Sequence, residues 1–468
     1  MANIKFGTDG WRGIIAWDFT FDNVKRMAQA LATFININMP SNLEDKTGGV
    51  VVGFDRRFMA DRVAADVASI LKLNKLDVTL LKDPVSTPMI SCLSFTKFWF
   101  AIMITASHNE AQYLGIKIKM NGGSVPLRFT KEIEELIDQR PALYIAGHNV
   151  EPKEGLEKIY FKYVSSKANL KKALTLKGKV AVDYMYGSAC GYLESLLPPK
   201  QVIALHTEKD PTFGGIKPEP KENVLSELKK TVVEKKCLFG VAFDGDGDRS
   251  ALIDEKGKYI TPMQVSAVLL HHLIKYKKLK GKVLQCLSMG YLTKRIAREN
   301  SLEFEELPVG FKHIAERTYL EDVLFGTEES GGYCWKGTMP ERDGLLLTIF
   351  IMEIMAVRKM KLSELVKETE TLYGKSYYER QDLEVKKILD MNTFADKLRK
   401  KFPKKILGKE ISEVLDIDGV KLIFPDDSWL LARPSGTEPI VRLYAETPDK
   451  KQTQQLLEFA VKALSTLK

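Results

Sequence analysis

Cysteine is scarce in this 468-residue chain. The five cysteines (Cys92, Cys190, Cys237, Cys286 and Cys334) are odd in number and share no close spacing. That excludes a disulfide framework and a cysteine zinc site, and it suits a reducing cytoplasm. No run approaches the apolar length needed to cross a bilayer. The N-terminal Met1-Ala2-Asn3-Ile4-Lys5-Phe6-Gly7 has no apolar signal core. Neither sign of charge dominates: 70 basic and 61 acidic residues leave a net charge of +9. The lysines come largely in scattered pairs, such as Lys171-Lys172, Lys235-Lys236 and Lys404-Lys405, with no basic stripe interleaved with aromatics. The surplus therefore reads as a solvated surface, and neither nucleic acid nor membrane is expected as a partner. No proline- or serine-rich linker interrupts the chain, so its domains are expected to pack closely.

A chain this long exceeds one core and predicts three or four domains. Short apolar runs alternate with amphipathic stretches. Gly48–Asp55 reads as a strand followed by a helix over 60–71. Leu176–Asp183 repeats the pattern with a helix over Gly187–Leu197, and Leu279–Cys286 does so with a helix over Tyr291–Glu299. Two of these units share Leu-Lys-Gly-Lys-Val. Such units predict α/β domains on largely parallel sheets. The last hundred residues differ. Strands over 419–424, 429–432 and 440–446 precede an amphipathic helix after Pro448, which predicts a smaller α+β domain on a partly antiparallel sheet. The boundaries fall at 1–150, 151–254, 255–372 and 373–468.

Three distant loops carry the chemistry. Thr105-Ala106-Ser107-His108-Asn109 follows the apolar run Phe100–Ile104, placing the Ser107 hydroxyl at the carboxyl end of a strand, where open α/β sheets bind ligands. Leu114–Met120 alternates with period two, which puts Lys117 and Lys119 on one face as cations able to stabilise a phosphate. No Gly-x-Ser-x-Gly elbow is present, against a serine hydrolase. Asp244-Gly245-Asp246-Gly247-Asp248-Arg249 offers three carboxylates on a glycine-loosened loop, hard oxygen ligands suited to Mg²⁺, with Arg249 beside them. The same aspartates with Glu255 match positions 1, 3, 5 and 12 of a calcium loop. That loop needs glycine where Arg249 stands, and its flanks should be helices rather than strands. Arg433-Pro434-Ser435-Gly436-Thr437-Glu438-Pro439 presents a guanidinium, hydroxyls and backbone N–H groups to a phosphate. Between these, Gly326-Thr327-Glu328-Glu329-Ser330-Gly331-Gly332 suits sugar hydroxyls, Lys312 and His313 lie close by in sequence, and Gly7-Thr8-Asp9-Gly10-Trp11-Arg12-Gly13 carries Arg12.

Taken together, in this order, the four motifs Thr-Ala-Ser-His-Asn, Asp-Gly-Asp-Gly-Asp-Arg, Gly-Thr-Glu-Glu-Ser-Gly-Gly and Arg-Pro-Ser-Gly-Thr-Glu-Pro resemble the α-D-phosphohexomutase superfamily over essentially the whole chain. The resemblance implies three α/β domains with mixed, largely parallel sheets and a smaller C-terminal α+β domain around a central cleft. It implies a phosphoserine at Ser107, with Asp244, Asp246, Asp248 and Ser107 holding Mg²⁺. Arg12, His108, Lys117, Arg249 and Lys312 would line the transfer site. Glu328 and Ser330 would contact the sugar, and Arg433, Ser435, Gly436 and Thr437 the phosphate that is not transferred. The implied reaction interconverts hexose 1-phosphate and hexose 6-phosphate through a hexose 1,6-bisphosphate, which is also the activator, with Lys117 assisting deprotonation of the attacking hydroxyl. Glu329 and Gly331-Gly332 look more like glucose-preferring members, since aminosugar mutases usually carry Gln before that serine. Phosphomannomutase and phosphoglucosamine mutase are the alternatives; a metal-dependent sugar phosphatase and a calcium-binding module stand further off. A cytoplasmic monomer or weak homodimer acting on small sugar phosphates is expected.

Overall fold

The computed structural model describes residues 4–7, 9–39, 46, 48–436 and 438–464. Contacts divide the chain into two units. The first comprises Met1–Ile260, Ala315–Leu320 and Gly331–Ser363; the second comprises Thr261–Ile314, Glu321–Ser330 and Glu364–Lys468. Among the described residues, no helix is long and apolar enough to cross a membrane.

The first unit carries two mixed sheets. In one, the Gly48–Phe54 strand lies between the parallel strands Val78–Leu81 and Phe98–Ile104. Tyr113–Met120 then adds antiparallel to Phe98–Ile104, and Trp11–Ile14 antiparallel to it in turn. The long apolar runs fit strands covered on both faces. Helices Phe21–Asn38 and Ala60–Leu73 help supply the cover, burying Val24, Leu31 and Phe34 and Val63, Val67 and Ile70 in the same core. Thr20 starts the first of these helices by accepting the Asn23 N–H. In the second sheet, Val180–Asp183 is flanked by the parallel strands Val202–Leu205 and Phe239–Phe243, and Ser250–Ile253 closes antiparallel.

The second unit holds three parallel strands, Lys282–Cys286 between Phe304–Leu307 and Val323–Glu328. It also holds a C-terminal sheet that is antiparallel throughout, in the order Tyr377–Glu384, Ile440–Thr447, Trp429–Pro434, Val420–Ile423, Glu413–Leu415. Lys450–Leu464 packs Leu456, Leu457, Ala460 and Leu464 into that sheet's core. The fold is three α/β domains followed by the smaller α+β domain.

One expected element is absent. Gly187–Leu197 forms a succession of turns rather than a helix. Met185 and Tyr186 enter it with φ of 46° and 59°, and Gly191 interrupts it at φ 82°. Left-handed residues cannot propagate a right-handed i→i−4 ladder. The turn instead braces another loop: Ser188 N–H donates to the Gly245 carbonyl at 3.0 Å.

Candidate active site

Ser107 leaves the Phe98–Ile104 strand buried and in the left-handed region, at φ 55°. Its N–H donates to Thr105 Oγ1 at 2.8 Å, and Thr105 Oγ1 donates to Asp55 Oδ2 at 2.5 Å. The Ser107 hydroxyl lies 3.3 Å from Asp244 Oδ2 and 3.3 Å from His108 Nδ1. The serine and aspartate loops, 137 residues apart in sequence, thus meet at one point.

The aspartate loop follows Phe239–Phe243, with Gly247 at φ 72°. Asp244, Asp246 and Asp248 are buried, each offering an oxygen within 4.8 Å of the others. Asp246 Oδ1 and Asp248 Oδ1 are buried with no hydrogen-bond partner among the described residues. Buried carboxylate oxygens are costly to leave unsatisfied, and two of them on one loop fit a hard divalent cation. Burial raises the Asp244 carboxyl well above its usual range, with Asp248 and Asp246 pushing the same way. For Asp246 burial also pushes upward, but Lys117 overrides it and holds the group below its usual range.

Lys117 Nζ lies 2.8 Å from Asp246, 2.9 Å from Asp9 and 3.3 Å from Asp248. Burial works against its charge, yet these carboxylates hold the ammonium more firmly protonated than an ordinary lysine. Lys117 thus stands as an ammonium among carboxylates. Its neighbours extend the network. Lys119 pairs with Asp9 at 3.0 Å and Glu341 at 2.6 Å, and Arg342 pairs with Asp248 at 2.7 Å and Asp9 at 3.4 Å. Asp9, Glu341 and the three loop aspartates face Lys117, Lys119 and Arg342.

Arg12 Nη1 donates to Asn109 Oδ1 at 2.7 Å, and Arg249 lies 3.8 Å from Glu219 while its N–H reaches Asp244 Oδ1 at 3.1 Å. Burial, then the charges of Arg249, Arg12, Lys217 and Lys117, depress His108 well below an ordinary histidine, so it is neutral at neutral pH.

The other predicted residues belong to the second unit. Glu328 ends the Val323–Glu328 strand and accepts the Ser330 hydroxyl. Arg433 ends on Asp418 at 2.9 Å, and Asp418 also accepts the Val309 N–H at 2.8 Å, which ties the phosphate loop to the segment carrying Lys312. Ser435 N–H donates to the Ile440 carbonyl and its Oγ accepts the Glu438 N–H, while Gly436 is exposed. Thr437 lies outside the described residues. Asp9, Glu341 and Arg342 were not singled out from sequence. Asp9 sits on the same glycine-rich loop as Arg12, but nothing local marks Glu341 or Arg342.

Four family models match in succession. They are phosphoglucomutase/phosphomannomutase alpha/beta/alpha domain I over residues 3–143, domain II over 158–257, domain III over 261–373, and the C-terminal domain over 374–463. The chain is 30% identical to a "probable phosphoglucosamine mutase" of Methanobrevibacter smithii, covering 98% of each chain. It is 29% identical to the phosphoglucosamine mutase of Methanococcus vannielii, covering 87% of this chain and 90% of the relative. The crystal structure of a "putative phosphomannomutase" from Thermus thermophilus superposes with a TM-score of 0.84 at 32% identity, covering 99% of each chain.

Proposed function

Because the chain belongs to the phosphoglucomutase/phosphomannomutase family of intramolecular phosphotransferases, we propose that it moves phosphate between the 1- and 6-positions of a hexose through a phosphoryl group carried on Ser107. What carries the reading is the approach of the Ser107 hydroxyl to Asp244, 3.3 Å away, on a loop with two unpartnered carboxylate oxygens. Asp244, Asp246 and Asp248, with an oxygen on Ser107, would hold Mg²⁺, which when bound supplies charge neutralisation for the transferring phosphoryl group.

The chain's own groups do the rest. A phosphoryl group brings a charge near −2, and Arg12, Arg249 and Lys117 place fixed cations around it in a buried site, where they act more strongly than in water. When a sugar phosphate donates to the enzyme, the Ser107 oxygen–phosphorus bond forms as the sugar oxygen–phosphorus bond breaks. Neutral His108, at hydrogen-bonding reach of the hydroxyl, accepts its proton and passes it to the departing sugar oxygen. On return transfer the relay runs backward, from the attacking sugar hydroxyl through His108 to the departing Ser107 oxygen. Glu328 and Ser330 engage the sugar hydroxyls, and Arg433, Ser435, Gly436 and Thr437 hold the resting phosphate. The bisphosphorylated sugar formed midway presents its other phosphate to Ser107.

An aminohexose phosphate is the leading substrate, because relatives matched over most of their length are named phosphoglucosamine mutases. Glucose phosphate is the second reading, favoured by Glu329. That residue discriminates little, since burial, with Glu328, raises its carboxyl above the usual range against Ser288 and Arg380 and so favours its neutral form. Incubation with hexose 1,6-bisphosphate should add one phosphate at Ser107, read by mass spectrometry. Ser107→Ala should lose that phosphate and nearly all mutase turnover. A panel of glucose, mannose and glucosamine 1-phosphates ranks the substrates. Full turnover in Ser107→Ala defeats the proposal.

A further inference from the structure

Arg57 lies three residues beyond the Gly48–Phe54 strand, and its side chain is wholly shielded from solvent. Its Nη2 donates to the carbonyls of Ser107 and Asn109, both at 2.6 Å. Its Nη1 donates to those of Glu110 at 2.8 Å and Tyr113 at 3.1 Å. Asp55 lies 3.2 Å from Nε, and the buried Phe213 ring sits 4.8 Å from the guanidinium carbon. One planar fork therefore addresses four carbonyls of the segment that carries the reactive serine. Only a guanidinium has donors in that arrangement.

Asp55 completes the grip from the other side. It accepts the Thr105 hydroxyl, and Thr105 in turn accepts the Ser107 N–H. Ser107 is thus held at its N–H through Asp55 and at its carbonyl through Arg57. The backbone needs the restraint, because a left-handed φ in a serine is strained and persists only where neighbours enforce it.

The aspartate loop also packs against the carbonyl that Arg57 grips. A Cβ on Gly245 would stand 2.6 Å from the Ser107 oxygen. We propose that Arg57 is a positioning residue that sets the register of Ser107 against the Asp244–Asp248 loop, and with it the rate at which Ser107 takes up phosphate. The proposal rests on the reading of Ser107 as the phosphoryl carrier. Arg57 acts through the backbone of the serine loop and touches no reacting atom. Phe213 fixes it from a second loop, Asp210–Lys221, so the register depends on both segments.

Arg57→Lys keeps the charge but offers three donors on a flexible stem. Four measurements are made on it and on wild type: single-turnover phosphorylation of Ser107 from hexose 1,6-bisphosphate, Mg²⁺ binding by calorimetry, kcat and KM, and thermal unfolding. The expected result is a folded protein with KM within about twofold of wild type. Phosphorylation rate and kcat should be lower by about tenfold or more, equivalent to about 1.4 kcal/mol, and Mg²⁺ binding should be weaker. In Arg57→Ala, added guanidinium should restore part of the phosphorylation rate, which a general loss of stability would not allow. Phe213→Leu provides a second variant should Arg57→Lys not fold, with an expected slowing of about threefold, in line with loss of a cation–π contact. Wild-type phosphorylation rate and Mg²⁺ affinity in a folded Arg57→Lys, or in Phe213→Leu where that is the variant that folds, overturn the role of Arg57 alone. Absence of phosphate on Ser107 in the wild type overturns the phosphoserine reading and this proposal together.

Discussion

Replacing Lys117 by methionine tests the charge arrangement directly. Methionine preserves the unbranched stem and packing but removes the cation that Asp9, Asp246 and Asp248 share. Removing one partner of a buried ion pair leaves uncompensated charge and costs about 3–5 kcal/mol. In a cooperative unit of about 300 residues that corresponds to a fall in Tm of about 5–8 °C, taking about 2.1 cal/mol/K of unfolding entropy per residue. The variant's cluster carries one positive charge fewer than the wild type's. A divalent cation should therefore recover more stability in the variant than in the wild type, through its preference for the folded form. The assay is a pair of melting curves for each protein, one with a chelator and one with saturating Mg²⁺, alongside turnover. Turnover should stay low even with Mg²⁺, because the fixed cation beside the transferring group is gone. A chelated variant melting with the wild type would refute the buried-pair reasoning. A Mg²⁺ increment no larger than in the wild type would refute the link between the lost lysine charge and cation binding.

Two further outcomes follow from single contacts. Gly245→Ala puts a Cβ 2.6 Å from the Ser107 carbonyl; phosphate uptake on Ser107 should collapse and the melting temperature should fall, because a buried backbone oxygen cannot yield cheaply, and a phosphorylated Ala variant with wild-type melting would argue against the close approach. Asp343 caps the Gly344–Arg358 helix and accepts the Tyr160 hydroxyl, while burial raises its carboxyl to about 7. The folded form therefore binds more protons than the unfolded form from about pH 4 to 7, and stability falls across that window by up to an order of 4 kcal/mol. Asp343→Asn keeps a good cap and should flatten the slope in denaturant titrations at pH 5 and 8. An unchanged slope would assign the pH dependence elsewhere.

The site was legible where its chemistry is local in the chain. Three aspartates at alternate positions after an apolar strand announce a cation loop wherever the rest of the molecule lies, and a serine at a strand's carboxyl end announces a ligand position. The strands were legible for a related reason: runs such as Phe98–Ile104 are apolar throughout because both faces are covered. Tyr377–Glu384 was missed because it alternates weakly, with most of its residues exposed or half-buried, and owes its conformation to pairing with Ile440–Thr447. The helix expected over Gly187–Leu197 failed because left-handed backbone conformations at Met185 and Tyr186 are invisible to periodicity.

Lys117 shows where local reading misleads. Period-two alternation correctly put Lys117 and Lys119 on one face, read as cations able to stabilise a phosphate. Alternation fixes a face, but not what covers it. Here the cover comes from Asp9, the aspartate loop and Glu341, spread from residue 9 to residue 341, and it turns two surface-type lysines into deeply buried cations, with the Lys117 and Lys119 side chains 1% and 0% exposed. The same cover decides their chemistry. A lysine among carboxylates keeps its proton, and the two lysines hold together carboxylates that would otherwise repel one another.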